Sequence, residues 1–420
     1  MKPWLKRTLK VLGWFVGSII VIIVGLVIFI NATWNNPIDR AVSTRTASMD
    51  SVSIARGEFL FKYGNTCWGC HSATQHPDAP PSGGMPFDLT NVGPGFGIFY
   101  TPNITPDEET GIGRWSDGQI VRAIREGIRH DGTPLFPLMP VATLKGVSDD
   151  DVFAMVSYLR SIPPVNNKVT PHDIRFPTKM LFTLGVVGPE PPITEPIPTP
   201  VRGITLEYGQ YLANHGALCS DCHTPRDLNT GAFYFDSSFA GSTIAFGEIE
   251  GHPIWAYAPN ITPDMETGIG SWSEEQFLLA IRTGTRPDGR ILTTHMPYAE
   301  YGLWDEDDLR ALYTYLKTVP PIRRTIPFVH QTEKITQGSG VERGKEIFTM
   351  RCQACHGANG TGSPATNAKM SELAPTIDDK TMKEFISAGQ VSLRMPGFGT
   401  TLTDDEMNDV IAFVRSWEQK

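Results

Sequence analysis

Cysteine is scarce in this chain of 420 residues, with six in all. An excess of positive charge is also missing: 36 Lys and Arg stand against 45 Asp and Glu, a formal net charge of −9, which argues against nucleic acid as the partner. Glycine (40) and proline (34) together are about 18 % of the residues, short of a low-complexity chain. No strand-rich run of any length is present, so a mainly α fold is expected. Charge is absent altogether from residues 11–30. The length corresponds to about three domains, enough for separate cores.

The uncharged run holds twenty residues, rich in Ile and Val. As a helix it reaches roughly 30 Å, one hydrocarbon core. Lys2, Lys6, Arg7 and Lys10 precede it and no acid does, so the positive-inside rule keeps the N-terminus cytoplasmic and exports everything after residue 30. A cleaved signal has a shorter apolar region of about 7–15 residues and a small-x-small site. Asn31-Ala32-Thr33-Trp34 follows instead. Residues 1–35 are therefore expected to be a cytoplasmic tip and an uncleaved N-terminal transmembrane anchor. The exported remainder carries 32 cations against 45 acids, or −13.

All six cysteines fall into one pattern: Cys67-Trp68-Gly69-Cys70-His71, Cys219-Ser220-Asp221-Cys222-His223 and Cys352-Gln353-Ala354-Cys355-His356. Composition alone would give about 0.002 occurrences of Cys-x-x-Cys-His, so three are not accidental. The pattern is that of c-type haem attachment: two thiols three residues apart add to the two vinyl groups, and the adjacent histidine faces the iron. Three disulfides would leave a histidine after every pair unexplained. Zinc would need a second pair some 12–20 residues on, and Cys219 is 149 residues past Cys70. A thioredoxin-like redox pair would need a strand-helix frame that is not visible. Three covalently bound haem c groups are the expected cofactors.

The segment Asn103-Ile104-Thr105-Pro106-Asp107 returns 157 residues later as Asn260-Ile261-Thr262-Pro263-Asp264. The same offset carries Thr110-Gly111-Ile112-Gly113 onto Thr267-Gly268-Ile269-Gly270, Trp115-Ser116 onto Trp272-Ser273, Met139-Pro140 onto Met296-Pro297 and Tyr158-Leu159 onto Tyr315-Leu316. This is an internal duplication. A haem iron held by histidine on one side commonly takes a thioether on the other. Met139 and Met296 hold one register, each lies downstream of its histidine and each precedes a proline; Met395-Pro396 is the third such pair. These three methionines are read as axial ligands opposite His71, His223 and His356, against the alternative of core filler. His295 rivals Met296, but its counterparts are Leu138 and Arg394. Asn103 and Asn260 also match glycosylation acceptors; a structural turn is the better reading. Met265 is expected at the surface.

Each domain opens on a helix marked by Arg56-Gly57-Glu58, Tyr208-Gly209-Gln210 or Arg343-Gly344-Lys345, its glycine placed where a crossing helix needs close approach. Each closes on an amphipathic helix bearing Tyr158, Tyr315 or Phe413. Ser148, Asp305 and the box Thr403-Asp404-Asp405-Glu406 mark the starts of those closing helices. The expected domains are 51–163, 204–321 and 340–420, with a Pro-rich linker at 164–203 and a second linker at 322–339. Within the first linker, residues 175–182 are apolar enough to pack on something.

With these motifs in place, the chain resembles the triheme cytochrome c subunit of bacterial membrane-bound dehydrogenases for alcohols, gluconate, sorbitol or aldehydes. The resemblance covers roughly residues 51–420. It implies three class I cytochrome c-like domains; together with the N-terminal transmembrane helix read above, in which this chain departs from the many relatives with a cleaved signal, they are expected on the periplasmic side of the bacterial cytoplasmic membrane. It also implies Cys67, Cys70, Cys219, Cys222, Cys352 and Cys355 as haem anchors, and electrons taken from a quinoprotein, flavin or molybdenum catalytic subunit toward ubiquinone or a terminal oxidase. With both axial positions filled, no open iron site remains for a substrate, so no catalytic residue is expected in this chain. A free-standing membrane cytochrome between a quinol-oxidising complex and an oxidase stays open as an alternative, as does a haem peroxidase or reductase with one methionine displaced.

Overall fold

A computed structural model describes residues 3–74, 76–90, 95–227, 231–243, 245–246, 256–290, 292–293, 295–326, 340–357, 360–361, 369–389, 395, 398 and 402–419. The chain starts with a 31-residue helix, α1 (Pro3–Thr33). Its stretch Lys6–Thr33, whose most apolar 18-residue window has mean hydropathy 2.8, is long and apolar enough to cross a membrane and is almost wholly exposed. Ile30, at the end of the apolar run, is the exception at 2 % exposure.

Residues 35–50 run extended along the first globular unit and are stitched to it. The Ile38 amide donates to the Gly132 carbonyl (2.8 Å), Arg40 pairs with Glu126 (2.6 Å), and Arg45 pairs with Asp150 (2.8 Å).

That unit comprises α2 (Ser51–Phe59), a π-helical turn (Leu60–Gly64), α3 (Trp68–His71), strands β1 (Pro86–Asp88) and β2 (Gly97–Tyr100), α4 (Asp117–Glu126), α5 (Val141–Leu144) and α6 (Asp149–Ser161). β1 pairs antiparallel with β2. β3 (Asp173–Ile174) adds to the other edge of β2, and α7 (Phe176–Thr183) follows. The Pro-rich stretch is thus more than a spacer, since part of it completes this sheet. Strands this short leave no periodic signal in the sequence.

The second unit repeats the plan with α8 (Leu206–Tyr211), a π-helical turn (Leu212–Gly216), α9 (Cys219–His223), the pair β4 (Ala245–Phe246) and β5 (Ala256–Tyr257), α10 (Glu274–Thr283), α11 (Tyr298–Tyr301) and α12 (Glu306–Leu316). A third set of helices comprises α13 (Val341–Arg351), α14 (Gln353–His356), α15 (Met370–Leu373), α16 (Asp379–Ala388) and α17 (Asp404–Arg415). Three separate buried clusters form, centred on Phe61 and Val156, on Tyr208 and Leu312, and on Phe348 and Val414.

The same helix crossing organises each unit. A Cβ on Gly57, Gly209 or Gly344 would overlap the backbone carbonyl of Ala154, Ala311 or Asp409 on the closing helix, beside Tyr158, Tyr315 or Phe413. Only glycine lets two backbones approach that closely. An Arg–Asp clamp lies across each crossing: Arg56 to Asp151 (2.7 and 2.8 Å), Arg202 to Asp308 (2.8 and 2.9 Å) and Arg343 to Asp409. The second unit has Tyr208 where the others have arginine, and Arg202 from the preceding loop takes over.

Ser148 caps α6 through its hydroxyl, and Thr403 and Glu406 form the reciprocal box on α17. Asp305 corrects the sequence expectation in part. It occupies the N-cap position of α12 without a side-chain capping bond, because its carboxylate turns to Arg202.

Candidate haem centres

The motif helices are entered the same way in both duplicated units. After the π-helical turn, Asn65 and Ala217 amides donate to Leu60 and Leu212 carbonyls (2.7 Å each). The residue before the first cysteine then swings into the left-handed region, Thr66 at φ 45° and Leu218 at φ 53°. For non-glycine residues this conformation costs on the order of 1–2 kcal/mol. It turns the chain from the opening helix into the short turn carrying Cys67, Cys70 and His71, or Cys219, Cys222 and His223.

The histidine rings are fixed by backbone carbonyls. His71 Nδ1 lies 3.1 Å from the Pro102 oxygen and His223 Nδ1 2.7 Å from the Pro259 oxygen. A carbonyl only accepts, so Nδ1 carries the proton and Nε2 keeps its lone pair, the arrangement of a metal-binding imidazole. Burial holds both imidazoles below their ordinary pKa, which keeps that lone pair available.

Pro102 and Pro259 immediately precede the duplicated segments, which form one polar knot twice. The Asn103 carboxamide donates to Thr110 Oγ1 (3.0 Å) and the Val165 carbonyl (2.8 Å), and its oxygen accepts from Thr105 N (3.0 Å) and Oγ1 (2.7 Å). Asn260 does the same with Thr267, Ile322 and Thr262. Asp107 and Asp264 close the knot by accepting from Thr110 and Thr267. Both asparagines are buried, so the turn reading holds over glycosylation. The knot holds the carbonyl that orients the histidine.

The Met-Pro pairs form a further repeated turn. The Val141 amide donates to the Met139 carbonyl and the Tyr298 amide to the Met296 carbonyl, 2.7 Å each, across prolines at φ −75°, ψ 56° and φ −77°, ψ 57°. These are inverse γ-turns, which suit proline's fixed φ. Met139, Met296 and Met395 each pack at the edge of a different buried cluster. His295 adjoins Met296, while Met265 is exposed as expected. Pro396 and Arg394 lie outside the described residues, as does the Cys355 side chain.

Cys67, Cys70, Cys219 and Cys222 form no disulfide. Burial pushes the Cys67, Cys219 and Cys222 thiols up to about 12, and raises Cys70 as well. A redox-active Cys-x-x-Cys pair shows the opposite shift. Among the described residues no group of three or more His, Cys, Asp and Glu side chains converges as a metal site. The donor set, two neutral thiols beside a histidine with a free Nε2 and a thioether held at the core edge, fits a covalently attached haem.

Three features were not anticipated: the Pro102 and Pro259 carbonyls, the left-handed residues before each motif, and the contact between units. The first had a readable signal, because Tyr100-x-Pro102 and Tyr257-x-Pro259 extend the repeat three residues upstream. The contact had none. Asp221, inside the second motif, pairs with Arg226 (2.9 Å) and accepts from Thr143 of the first unit (3.3 Å), just past the Met139-Pro140 turn.

Comparison with known proteins agrees with this chemistry. The family model for cytochrome c matches residues 54–163 and 341–418. The alcohol dehydrogenase (quinone) cytochrome c subunit of Gluconobacter oxydans is 29 % identical over 391 residues, covering 87 % of this chain and 78 % of that one. The gluconate 2-dehydrogenase cytochrome c subunit of Pantoea cypripedii is 28 % identical, covering 87 % and 85 %. A diheme cytochrome c-type protein of Cereibacter sphaeroides is 30 % identical over 287 residues, 64 % of this chain and 86 % of its own length. The chain thus belongs to the cytochrome c family, among the cytochrome subunits of dehydrogenases, and is an electron-transfer chain rather than a catalytic one.

Proposed function

We propose that the chain is a membrane-anchored triheme cytochrome c that accepts electrons on the periplasmic side from a dehydrogenase catalytic subunit and passes them toward ubiquinone or a terminal oxidase. Cys67 and Cys70, Cys219 and Cys222, and Cys352 and Cys355 would each hold one haem c in the domains 51–163, 204–321 and 340–420. His71 with Met139, His223 with Met296, and His356 with Met395 would fill the axial positions. When bound, haem c supplies a reversible one-electron iron couple. The protein's own part is positional. The Pro102 and Pro259 carbonyls hold the histidine planes and tautomers, the prolines after Met139 and Met296 hold the methionine backbone, and the buried clusters exclude water. Were each histidine and methionine pair to ligate its iron, no coordination position would be left for a small substrate, and the chain would conduct electrons rather than carry out peroxidase or reductase chemistry.

The observation that carries this reading is the repeated His Nδ1-to-carbonyl tie that leaves Nε2 free beside a cysteine pair. The test is haem content by pyridine haemochrome on the membrane-extracted complex. Three haems per chain are expected, one lost with each Cys→Ala pair, and addition of the co-purifying dehydrogenase's substrate reduces the remainder. A high-spin resting spectrum with peroxide consumption would refute the assignment.

A further inference from the structure

α7 sits where the apolar helix meets the first globular unit. Thr178, fully buried, donates from Oγ1 to the Phe96 carbonyl (2.6 Å). The Phe182 ring lies between Phe136 of the first unit (6.3 Å) and Trp34 at the foot of α1 (5.9 Å). Lys179 Nζ donates to Asn31 Oδ1 (2.9 Å) and stands 6.0 Å from the Trp34 ring. One side of the helix is thus fully engaged.

The other side is apolar and open. Phe176, Met180 and Leu184, at i, i+4 and i+8, are 38, 36 and 65 % exposed, and Val186 follows them. Spacing by four places them on one stripe. Asn31 and Trp34 directly follow the apolar run, so α7 lies level with its outer end. Trp is enriched at that level, and cations there meet lipid phosphates; Lys179 and the exposed Arg175 flank the stripe.

We propose that α7 lies along the outer headgroup layer of the membrane crossed by α1, with Phe176, Met180 and Leu184 turned into the acyl boundary and Arg175 and Lys179 at the phosphates. Phospholipid is the occupant the geometry favours, because the stripe continues the exposed apolar surface of α1 at its foot. Interfacial helices bind by this combination of buried apolar area and flanking cations. The consequence is orientational. Thr178 and Phe182 fix α7 to the first unit, and Phe136 stacks on Phe99 at 4.0 Å, so the Met139 side of that unit is held at a set height and angle over the bilayer. The proposal rests on α1 being a retained anchor.

The test uses the full-length holoprotein in phosphatidylethanolamine/phosphatidylglycerol vesicles. With the six native cysteines in thioethers, Leu184→Cys, Phe176→Cys, Val21→Cys and Met265→Cys each offer one thiol for a nitroxide label. Collision of the label with oxygen, which concentrates in lipid, is compared with collision with a water-soluble nickel chelate. The expected oxygen-to-nickel ratio at 184 and 176 is severalfold above that at 265 and below that at 21, with haem content unchanged. A ratio at 184 and 176 equal to that at 265, while 21 reports bilayer interior, overturns the proposal and leaves the stripe to a protein partner. A water-like ratio at 21 overturns the anchor reading and the proposal with it.

Discussion

Asn103 engages every polar atom of its carboxamide, and the residue before it supplies the carbonyl that holds His71. Replacing it by alanine leaves buried partners unsatisfied, at about 1–3 kcal/mol. Asn103→Ala should therefore lower the thermal midpoint of the holoprotein. It should also raise one haem reduction potential, because a loosened Nδ1 tie makes imidazole a weaker donor to the oxidised iron. Potentiometric titration checks the second effect; three unchanged potentials would separate the knot from the redox centre. At this scale the sequence was legible wherever chemistry is local. Cys-x-x-Cys-His names its own partners within five residues. The acceptors of His71 and His223 lie 31 and 36 residues away, so their identity depends on the path of the chain.

The element scale is governed by the crossing of opening and closing helices. Gly209 has no room for a methyl group against the Ala311 carbonyl, and both helices are held rigidly, α8 through its cap at Thr205 and α12 through the Arg202 clamp. Gly209→Ala is expected to destabilise by about 1–3 kcal/mol, as overpacking does, which for two units joined in one body is a fall in midpoint of roughly 2–4 °C per kcal/mol. Calorimetry of the variant beside Gly188→Ala, at a loop glycine with open space around it and no left-handed backbone, separates crowding from the loss of glycine as such. The glycines, closing aromatics and the three helix starts were readable because they follow spacing rules. Asp305 sits at the N-cap position as read, but its carboxylate goes to Arg202, 103 residues away, in place of a capping bond. The Arg202 substitution for a missing arginine beside Gly209 was equally invisible.

At the scale of the molecule, the duplicated units form one body through their π-helical turns. Gly64 meets the Gly216 carbonyl, Trp304 Nε1 donates to the Tyr63 carbonyl (2.8 Å), and Tyr211 hydroxyl donates to Asp151 (2.6 Å). His215 joins them by Nδ1 to the Thr143 carbonyl (2.7 Å), while the Asn65 carboxamide donates to its backbone oxygen (2.7 Å). Burial holds this imidazole below its ordinary pKa of 6.5, and the Arg125 charge adds to the effect. The unfolded chain therefore takes up the proton first. Stability contributed by neutral His215 is complete above about pH 6.5 and declines as pH falls below it, by at most about 1.4 kcal/mol per unit. His215→Gln retains a donor and cannot titrate, so its midpoint should vary less between pH 5 and 7 than the parent's; equal slopes would show that His215 takes up its proton alike in the folded and unfolded states.

The sequence by itself determined the inventory: three Cys-x-x-Cys-His motifs, the Met-Pro pairs, the duplication, and one run apolar enough to span a bilayer. Each of these is written in residue type and short spacing, because covalent attachment, helix periodicity and partition into lipid act over a few residues. Only the tertiary structure decided which carbonyls hold the histidines, that the second motif touches the methionine loop of the first, and that residues 176–183 seat between the first unit and the foot of α1. Those outcomes depend on surfaces meeting across 31 to 148 residues of chain, where contact is set by shape and by the few polar groups left to satisfy.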